Sequence, residues 1–335
     1  MAGFFYSQGT LTLNLSSTLH HQPSFGIVYK KSTNQFTVHT GSRVVACGLS
    51  TRLRKAFEDQ AKKSPHRIDP SELVTVGDEV HFIETPDGAG MIVEVLPRRS
   101  KLARRSPTAM PSAASFEQVI VANVDQVVPV FAAAQPEPHW NLLDRYLVTA
   151  EAASLPAVVI VTKTDLIQTG TLDAEVDEYR RIGYPVILAS AVTGQGLDEV
   201  RAAFQGRRSV LLGKSGVGKS SLLNALQPGL GLRVNAVSQI TNKGRHTTTH
   251  LEMFPLEWGG AIVDTPGVRE FGLWGIHPQD LALYFPEMRP LVGQCRFGLD
   301  CAHDDEPGCA VRRAVMTNQI SPRRYQSYMK LKEEL

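Results

Sequence analysis

Residues 213–220 read Gly-Lys-Ser-Gly-Val-Gly-Lys-Ser, which matches G-x-x-x-x-G-K-[ST] in full. The chemistry that needs this spacing is the cradling of a polyphosphate. Small residues let the backbone wrap an anion so that its N–H groups point inward. Lys219 then carries a positive charge to the terminal phosphates, and the Ser220 hydroxyl is placed to bind Mg²⁺. Gly213, Lys214, Ser215, Gly216, Val217, Gly218, Lys219, Ser220 and Ser221 are the predicted phosphate-binding residues. Further on, Asp264-Thr265-Pro266-Gly267 gives a D-x-x-G at the end of an apolar run. Asp264 can hold Mg²⁺ through water there, and the Gly267 N–H can sense a γ-phosphate. Between them lies Gly244-Arg245-His246-Thr247-Thr248-Thr249. Alone it reads as a polar loop. Beside a triphosphate, one of Thr247, Thr248 and Thr249 could complete the Mg²⁺ shell.

A second constellation suits a base. Thr162-Lys163-Thr164-Asp165 and Ala189-Ser190-Ala191 each follow an apolar run. Guanine presents two donors, N1–H and the 2-amino group, and one carboxylate accepts both. Asp165 has that chemistry and is the predicted guanine discriminator; adenine would leave it without matching donors. The Lys163 stem can lie against the base, and the Ser190–Ala191 backbone can donate to the guanine oxygen. In the Ras-like arrangement the phosphate loop comes first and the base motif last. Here the base motif comes first, so the order implies a circular permutation, which a compact domain with close termini tolerates.

Cys295, Cys301, His303 and Cys309 form a Cys₃His cluster suited to one tetrahedral, structural Zn²⁺. Reduced, unmetallated thiols are the alternative. Cys47, in an apolar run, reads as core packing, and Trp140 and Trp258 read as packing too. Arg98, Arg99, Lys101, Arg104 and Arg105 crowd one stretch, read as a basic linker over 97–107 that contacts nucleic-acid phosphates, with a solvated charge run that keeps the linker extended as the alternative. The charge around them agrees. The whole chain has 35 Lys+Arg against 33 Asp+Glu, yet no acidic residue precedes Glu58. A basic N-terminal third on a near-neutral chain suggests a polyanionic partner for that third.

These residues must be positioned by two kinds of texture. From 26 to 97, five short runs rich in Val, Ile and Phe (26–28, 35–39, 44–47, 79–84 and 91–96) read as strands of a small barrel, with the OB-fold the natural candidate. The polar stretch 53–70 reads as a mobile loop. From Gln118, short apolar runs alternate with helical patterns at 141–153, 172–182, 197–204 and 219–226, which implies a doubly wound α/β sheet. After about residue 275 the pattern turns helical and irregular. With 335 residues, 42% hydrophobic and 20% charged, the chain has material for real cores. Its apolar runs are too short for a membrane span, and four cysteines are too few for a disulfide scaffold. Residues 1–25 lack the basic start and apolar core of a secretory signal and read as an N-terminal extension. The predicted divisions are 1–25, a barrel with basic linker at 26–107, a permuted P-loop GTPase domain at 108–275, and a small helical zinc-binding domain at 276–335. The chain is read as cytoplasmic and, lacking a coiled-coil motif, as a monomer.

The order of these motifs, the cluster, Val76-Gly77-Asp78-Glu79-Val80 and Asn141-Leu142-Leu143-Asp144-Arg145-Tyr146-Leu147 carry a family resemblance over about residues 25–335. The chain resembles the ribosome small subunit-dependent GTPase A family of bacterial ribosome-assembly GTPases. The resemblance implies an OB barrel, a permuted GTPase domain and a zinc domain. It also implies slow GTP hydrolysis that the small ribosomal subunit accelerates, late in that subunit's maturation, with its rRNA as partner. His246 matches the histidine of the family's G-R-H-T-T-T motif, proposed to act in hydrolysis. Val268 stands where Ras-like enzymes place the water-orienting Gln, so that job must move elsewhere. Two departures stand out. Thr162 replaces the usual Asn of N-K-x-D and lacks the amide that bonds guanine and braces the phosphate loop, which bears on affinity more than on base choice. Five residues, not four, separate Cys295 from Cys301. Two other readings remain: an rRNA-binding module in which GTP only sets conformation, and an ATPase, which Asp165 disfavours.

Overall fold

The computed structural model describes residues 22–32, 35–63, 73–105, 117–230, 251–264 and 273–335, together with short strands at 6–7 and 10–11. The chain divides into two compact units, both discontinuous in sequence. The first holds residues 1–125, 206–210 and 241–274, and the second holds 126–205, 211–240 and 275–335.

The first unit is built on a closed barrel. After β1 (Tyr6–Ser7) and β2 (Thr10–Leu11) come β3 (Ser24–Lys31), β4 (Phe36–His39), β5 (Val44–Leu49), β6 (Glu79–Glu84) and β7 (Gly90–Val95). The pairing runs β3-β4-β5-β7-β6 and back to β3, so the sheet closes on itself. Only β5 and β7 run parallel; the other neighbours are antiparallel. Alternation along the strands sends Val28, Val38, Val45, Cys47, Val80, Phe82 and Ile92 into one core, as a small barrel of OB type requires. Cys47 is buried there, and burial pushes its thiol up to about 11, so it stays protonated and packs as an apolar residue.

Two stretches differ from the sequence reading. The expected loop at 53–70 begins as a helix, α1 (Thr51–Lys63). Ser50 starts it by accepting the Leu53 N–H at 3.5 Å. Leu53 and Phe57, one turn apart, pack it against the barrel core. Residues 64–72 lie outside the described residues. The basic linker is also a strand, β8 (Lys101–Arg105), paired antiparallel with β9 (Glu117–Ala122) and anchored by buried Leu102. A hairpin completes the unit; its second strand is the apolar run 261–264 expected from the sequence, and its first was missed. β14 (Glu252–Pro255) pairs with β15 (Ala261–Asp264) and, at Glu252, with Lys30 of β3.

The second unit is the doubly wound layer. β10 (Gln126–Ala132), β11 (Val159–Thr162) and β12 (Val186–Leu188) pair in parallel. β13 (Arg208–Leu212), whose first three residues belong to the first unit, is next to β10, so the strand order is β13-β10-β11-β12. Helices α2 (Trp140–Ala152), α3 (Asp173–Ile182), α4 (Leu197–Phe204) and α5 (Lys219–Leu226) alternate with these strands. β10 is buried along its whole length, which its near-continuous apolar sequence requires. Sequence order reverses between β10 and β13, and a ligand site belongs at that reversal. The unit ends in α6 (Ala310–Met316) and α7 (Pro322–Glu333).

Candidate nucleotide site and metal centre

The phosphate loop leaves β13 at Gly213 and enters α5 at Lys219. Two of its glycines have no substitute. A Cβ on Gly213 would sit 2.4 Å from the Val130 carbonyl oxygen. Gly218 holds φ +93°, and a Cβ there would press on Thr162 Oγ1 at 3.3 Å. The Lys219 ammonium lies inside the loop, donating to the carbonyls of Gly213 at 2.7 Å and Lys214 at 3.2 Å. Ser220 follows in the first turn of α5, whose N-terminal N–H groups and dipole favour an anion.

The base motif follows β11 and is clamped to this loop. Thr162 is buried, and its hydroxyl proton is shared between the Phe131 carbonyl at 3.0 Å and the Val217 carbonyl. Lys163, at φ 56°, donates from Nζ to Gly216 O at 2.6 Å and to Gln135 O. Two successive base-motif side chains therefore hold two successive phosphate-loop carbonyls. The threonine hydroxyl performs the bracing that the sequence assigned to an amide, because β11 ends close enough for a short side chain to reach. Asp165 is exposed in the following single-turn helix. The Ser190 hydroxyl donates to Asp165 Oδ1 at 2.5 Å while accepting the N–H groups of Val192 and Thr193. Ser190 thus orients the carboxylate through its side chain, a role that sequence spacing did not reveal. Thr164 Oγ1 donates to Gln195 Oε1 at 2.9 Å. Ala191 follows β12 in the same loop.

Thr162→Val should lower affinity for guanine nucleotides about tenfold, the worth of one hydrogen bond, while leaving the preference for guanine over adenine intact. Titration with a fluorescent GDP analogue, with ADP as competitor, reads both. Unchanged affinity would mean that the brace contributes nothing.

Asp264 ends β15, opposite Glu252, within the first unit. His246, Thr247, Thr248, Thr249 and Gly267 lie outside the described residues.

The four metal-ligand candidates converge. Cys295, Cys301, His303 and Cys309 are all buried, and their donor atoms lie within 4.8 Å of one another. Five intervening residues are accommodated because Gly298–Asp300 forms a single helical turn between the first two cysteines. Cys309 caps α6, accepting the Arg312 N–H, and Cys295 Sγ accepts the Ala310 N–H. The ligand loop is tied from outside. Glu306 accepts the N–H groups of Ala302 and Asp304, and α7 sends Tyr325 to His303 O and Tyr328 and Lys332 to Ala302 O. Burial lowers the His303 pKa and pushes the Cys301 thiol up to about 12. The imidazole is thus kept neutral, as a ligand must be, and ionising the thiols calls for a cation.

The basic residues of the expected linker are mostly engaged. Arg98 donates twice to fully buried Asp78, at 2.7 and 2.8 Å. Arg99 faces Asp125 and Glu79, Lys101 pairs with Glu117 at 2.6 Å, and Arg104 donates to Gln118. Arg105 stands in register with Glu117. Half-buried Trp140 packs against Tyr179 and Arg323.

A wound α/β sheet with a phosphate loop, and a carboxylate base motif that precedes that loop in the chain, defines a circularly permuted P-loop GTPase. The chain belongs to the RsgA GTPase family, which it matches over residues 95–274. It is 50% identical over 287 residues to "Small ribosomal subunit biogenesis GTPase RsgA" of Gemmatimonas aurantiaca, covering 85% of this chain and 91% of that one. The protein of the same name from Pseudomonas aeruginosa is 43% identical over 292 residues, covering 86% and 83%. Among solved structures, YjeQ from Thermotoga maritima superposes with a TM-score of 0.72 at 33% identity, covering 94% of this chain and 99% of that one. YloQ, described as a circularly permuted GTPase, superposes with a TM-score of 0.68 at 31% identity, covering 94% and 96%.

Proposed function

We propose that this chain hydrolyses GTP to GDP and phosphate, that it binds the small ribosomal subunit through its rRNA, and that it assists the late maturation of that subunit. The observation that carries the reading is the guanine lock: Asp165 oriented by Ser190, beside a phosphate loop held by Thr162 and Lys163. Family membership and the names of the relatives support the ribosomal partner. In this reading residues 213–221 and Gly267 bind the phosphates, and residues 162–165, 190 and 191 bind guanine. Ser220, Asp264 and one of Thr247–Thr249 serve the Mg²⁺ that accompanies the triphosphate, and His246 acts in hydrolysis. The barrel unit faces RNA. Among the described residues no helix is long and apolar enough to cross a membrane. In this reading the chain works in the cytoplasm, as a monomer.

GTP turnover is expected to rise strongly with purified small subunits, with no such rise for ATP. His246→Ala should remove that stimulation while GTP binding persists. Full stimulation in the variant would take His246 out of hydrolysis. No stimulation of the wild type, with GTP binding intact, would favour an rRNA-binding conformational module.

The metal is proposed to be one structural Zn²⁺. Bond lengths of about 2.3 Å to sulfur and 2.0–2.1 Å to nitrogen give tetrahedral edges of about 3.8 and 3.6 Å. The Cys295–Cys309 sulfurs lie 3.9 Å apart, and His303 Nδ1 lies 3.5 and 3.6 Å from them. Elemental analysis should find one zinc per chain and less in Cys309→Ser; a metal-free wild type would refute the assignment.

A further inference from the structure

We propose that the first turns of α1, carrying Arg52, Arg54 and Lys55, form the main phosphate-contacting surface by which this chain holds ribosomal RNA. The proposal rests on the small-subunit reading above and specifies which surface of the barrel unit it uses.

In the first unit, Lys30 pairs with Glu252, Arg43 with Glu84, Arg98 with Asp78, Arg99 with Asp125, Lys101 with Glu117 and Arg208 with Glu79. A cation that already faces a carboxylate projects little field and must give up that partner to take a phosphate. Arg52, Arg54 and Lys55 are exposed, and among the described side chains none of them faces a carboxylate. In the stretch that looked most basic in sequence, Arg98, Arg99 and Lys101 are therefore answered by carboxylates, whereas the described cations at the start of α1 are not.

The helix is charged against its own interest. Its first turn contains no acidic residue. Three cations instead sit where the dipole is positive, an arrangement that weakens an isolated helix. Acids enter only at Glu58 and Asp59, four residues after Arg54 and Lys55. Base before acid is the poorer order for such pairs. Leu53 and Phe57 hold the helix on the barrel in spite of this, so the three cations are presented from a fixed backbone. Packing thus supports a local charge arrangement that folding alone disfavours, and a polyanion is the partner that such an arrangement fits.

The test is the salt dependence of binding to purified small subunits by the full chain and by the variant Arg52→Gln/Arg54→Gln/Lys55→Gln. Glutamine keeps the helix propensity, so the variant should melt at or slightly above the wild-type temperature. Its affinity should fall about 10–100-fold, and the slope of log K against log salt should shrink by about 2–3. Lys101→Gln/Arg104→Gln should shrink it by less than about 1. An unchanged slope in the α1 variant, or a larger loss in the β8 variant, overturns the proposal while the small-subunit reading stands. No salt-sensitive binding by the wild type overturns both. The same titration on protein-free small-subunit RNA should show the same difference. A loss on subunits but not on bare RNA would overturn the RNA assignment in favour of an acidic ribosomal protein.

Discussion

Arg324→Ala is expected to destabilise the second unit by about 3–5 kcal/mol, the cost of removing one partner from a buried ion pair. Arg324 is 1% exposed. It donates to Asp144 at 2.6 Å and, through two nitrogens, to Glu287 at 2.7 and 3.0 Å. Phe285 lies under its guanidinium, 4.6 Å from carbon to ring centre. Burial works against its charge, but Asp144 and Glu287 outweigh this and hold it protonated. Asp144 is itself fully buried, shared with Tyr179 and approached by Arg323. Truncation would leave Asp144 and Glu287 facing each other's charge with one cation fewer. Because Arg324 joins α7 to α2, and α7 holds the ligand loop of the metal centre, metal retention should fall as well. Urea unfolding followed by circular dichroism reads the stability. In an Asp144→Asn background the same truncation should cost less, by about 1–3 kcal/mol of coupling. A loss below about 1 kcal/mol in the wild-type background would show that the network is not the anchor.

Asp165→Asn should lower GTP affinity by about two orders of magnitude and turn the preference toward xanthine nucleotides. A carboxylate accepts both guanine donors, and each such bond to a charged group is worth about 1.5–3 kcal/mol. A carboxamide accepts one donor and sets its own N–H₂ against the 2-amino group. Xanthine carries an oxygen at that position and restores the match. Ser190 can donate to an amide oxygen as it does to Asp165, so the side chain stays oriented. Competition of GTP, XTP and ATP for one labelled nucleotide measures the switch. GTP affinity equal to wild type would remove Asp165 from base recognition.

Much of this was legible in the sequence because the relevant signals are local. α4 (Leu197–Phe204) and α5 (Lys219–Leu226) have the limits that their apolar spacing predicts, and the barrel strands announce themselves through alternating Val, Ile and Phe. α1 was hidden because only Leu53 and Phe57 mark its buried face, and cations crowd the turn where acids normally signal a helix start. β8 was hidden because its stability comes from pairing with β9 and from one buried residue, Leu102, so its composition resembles a linker. β14 has four residues and ends in Pro255. At the site, residue types were readable but reach was not. Thr162 looked like a lost brace, and only the approach of β11 to the Val217 carbonyl shows that a hydroxyl suffices. The second role of Ser190 depends likewise on where the loop after β12 turns.

The pairing of Lys30 with Glu252 carries a consequence for how this chain is made. Those two residues are 222 positions apart. On the side of β3 that faces β14, β6 and the two residues before it cover Ser24–Val28, so among the described residues the far end of that strand meets no other strand until the hairpin arrives. At about 5–20 residues per second, a translating ribosome delivers Glu252 roughly 10–45 s after Lys30. For that interval the nascent barrel exposes an edge able to pair with other strands. Lys30 stands at that edge, and a lysine whose carboxylate partner has yet to be made discourages such association. The same charge that later meets Glu252 therefore also guards the unfinished barrel during synthesis.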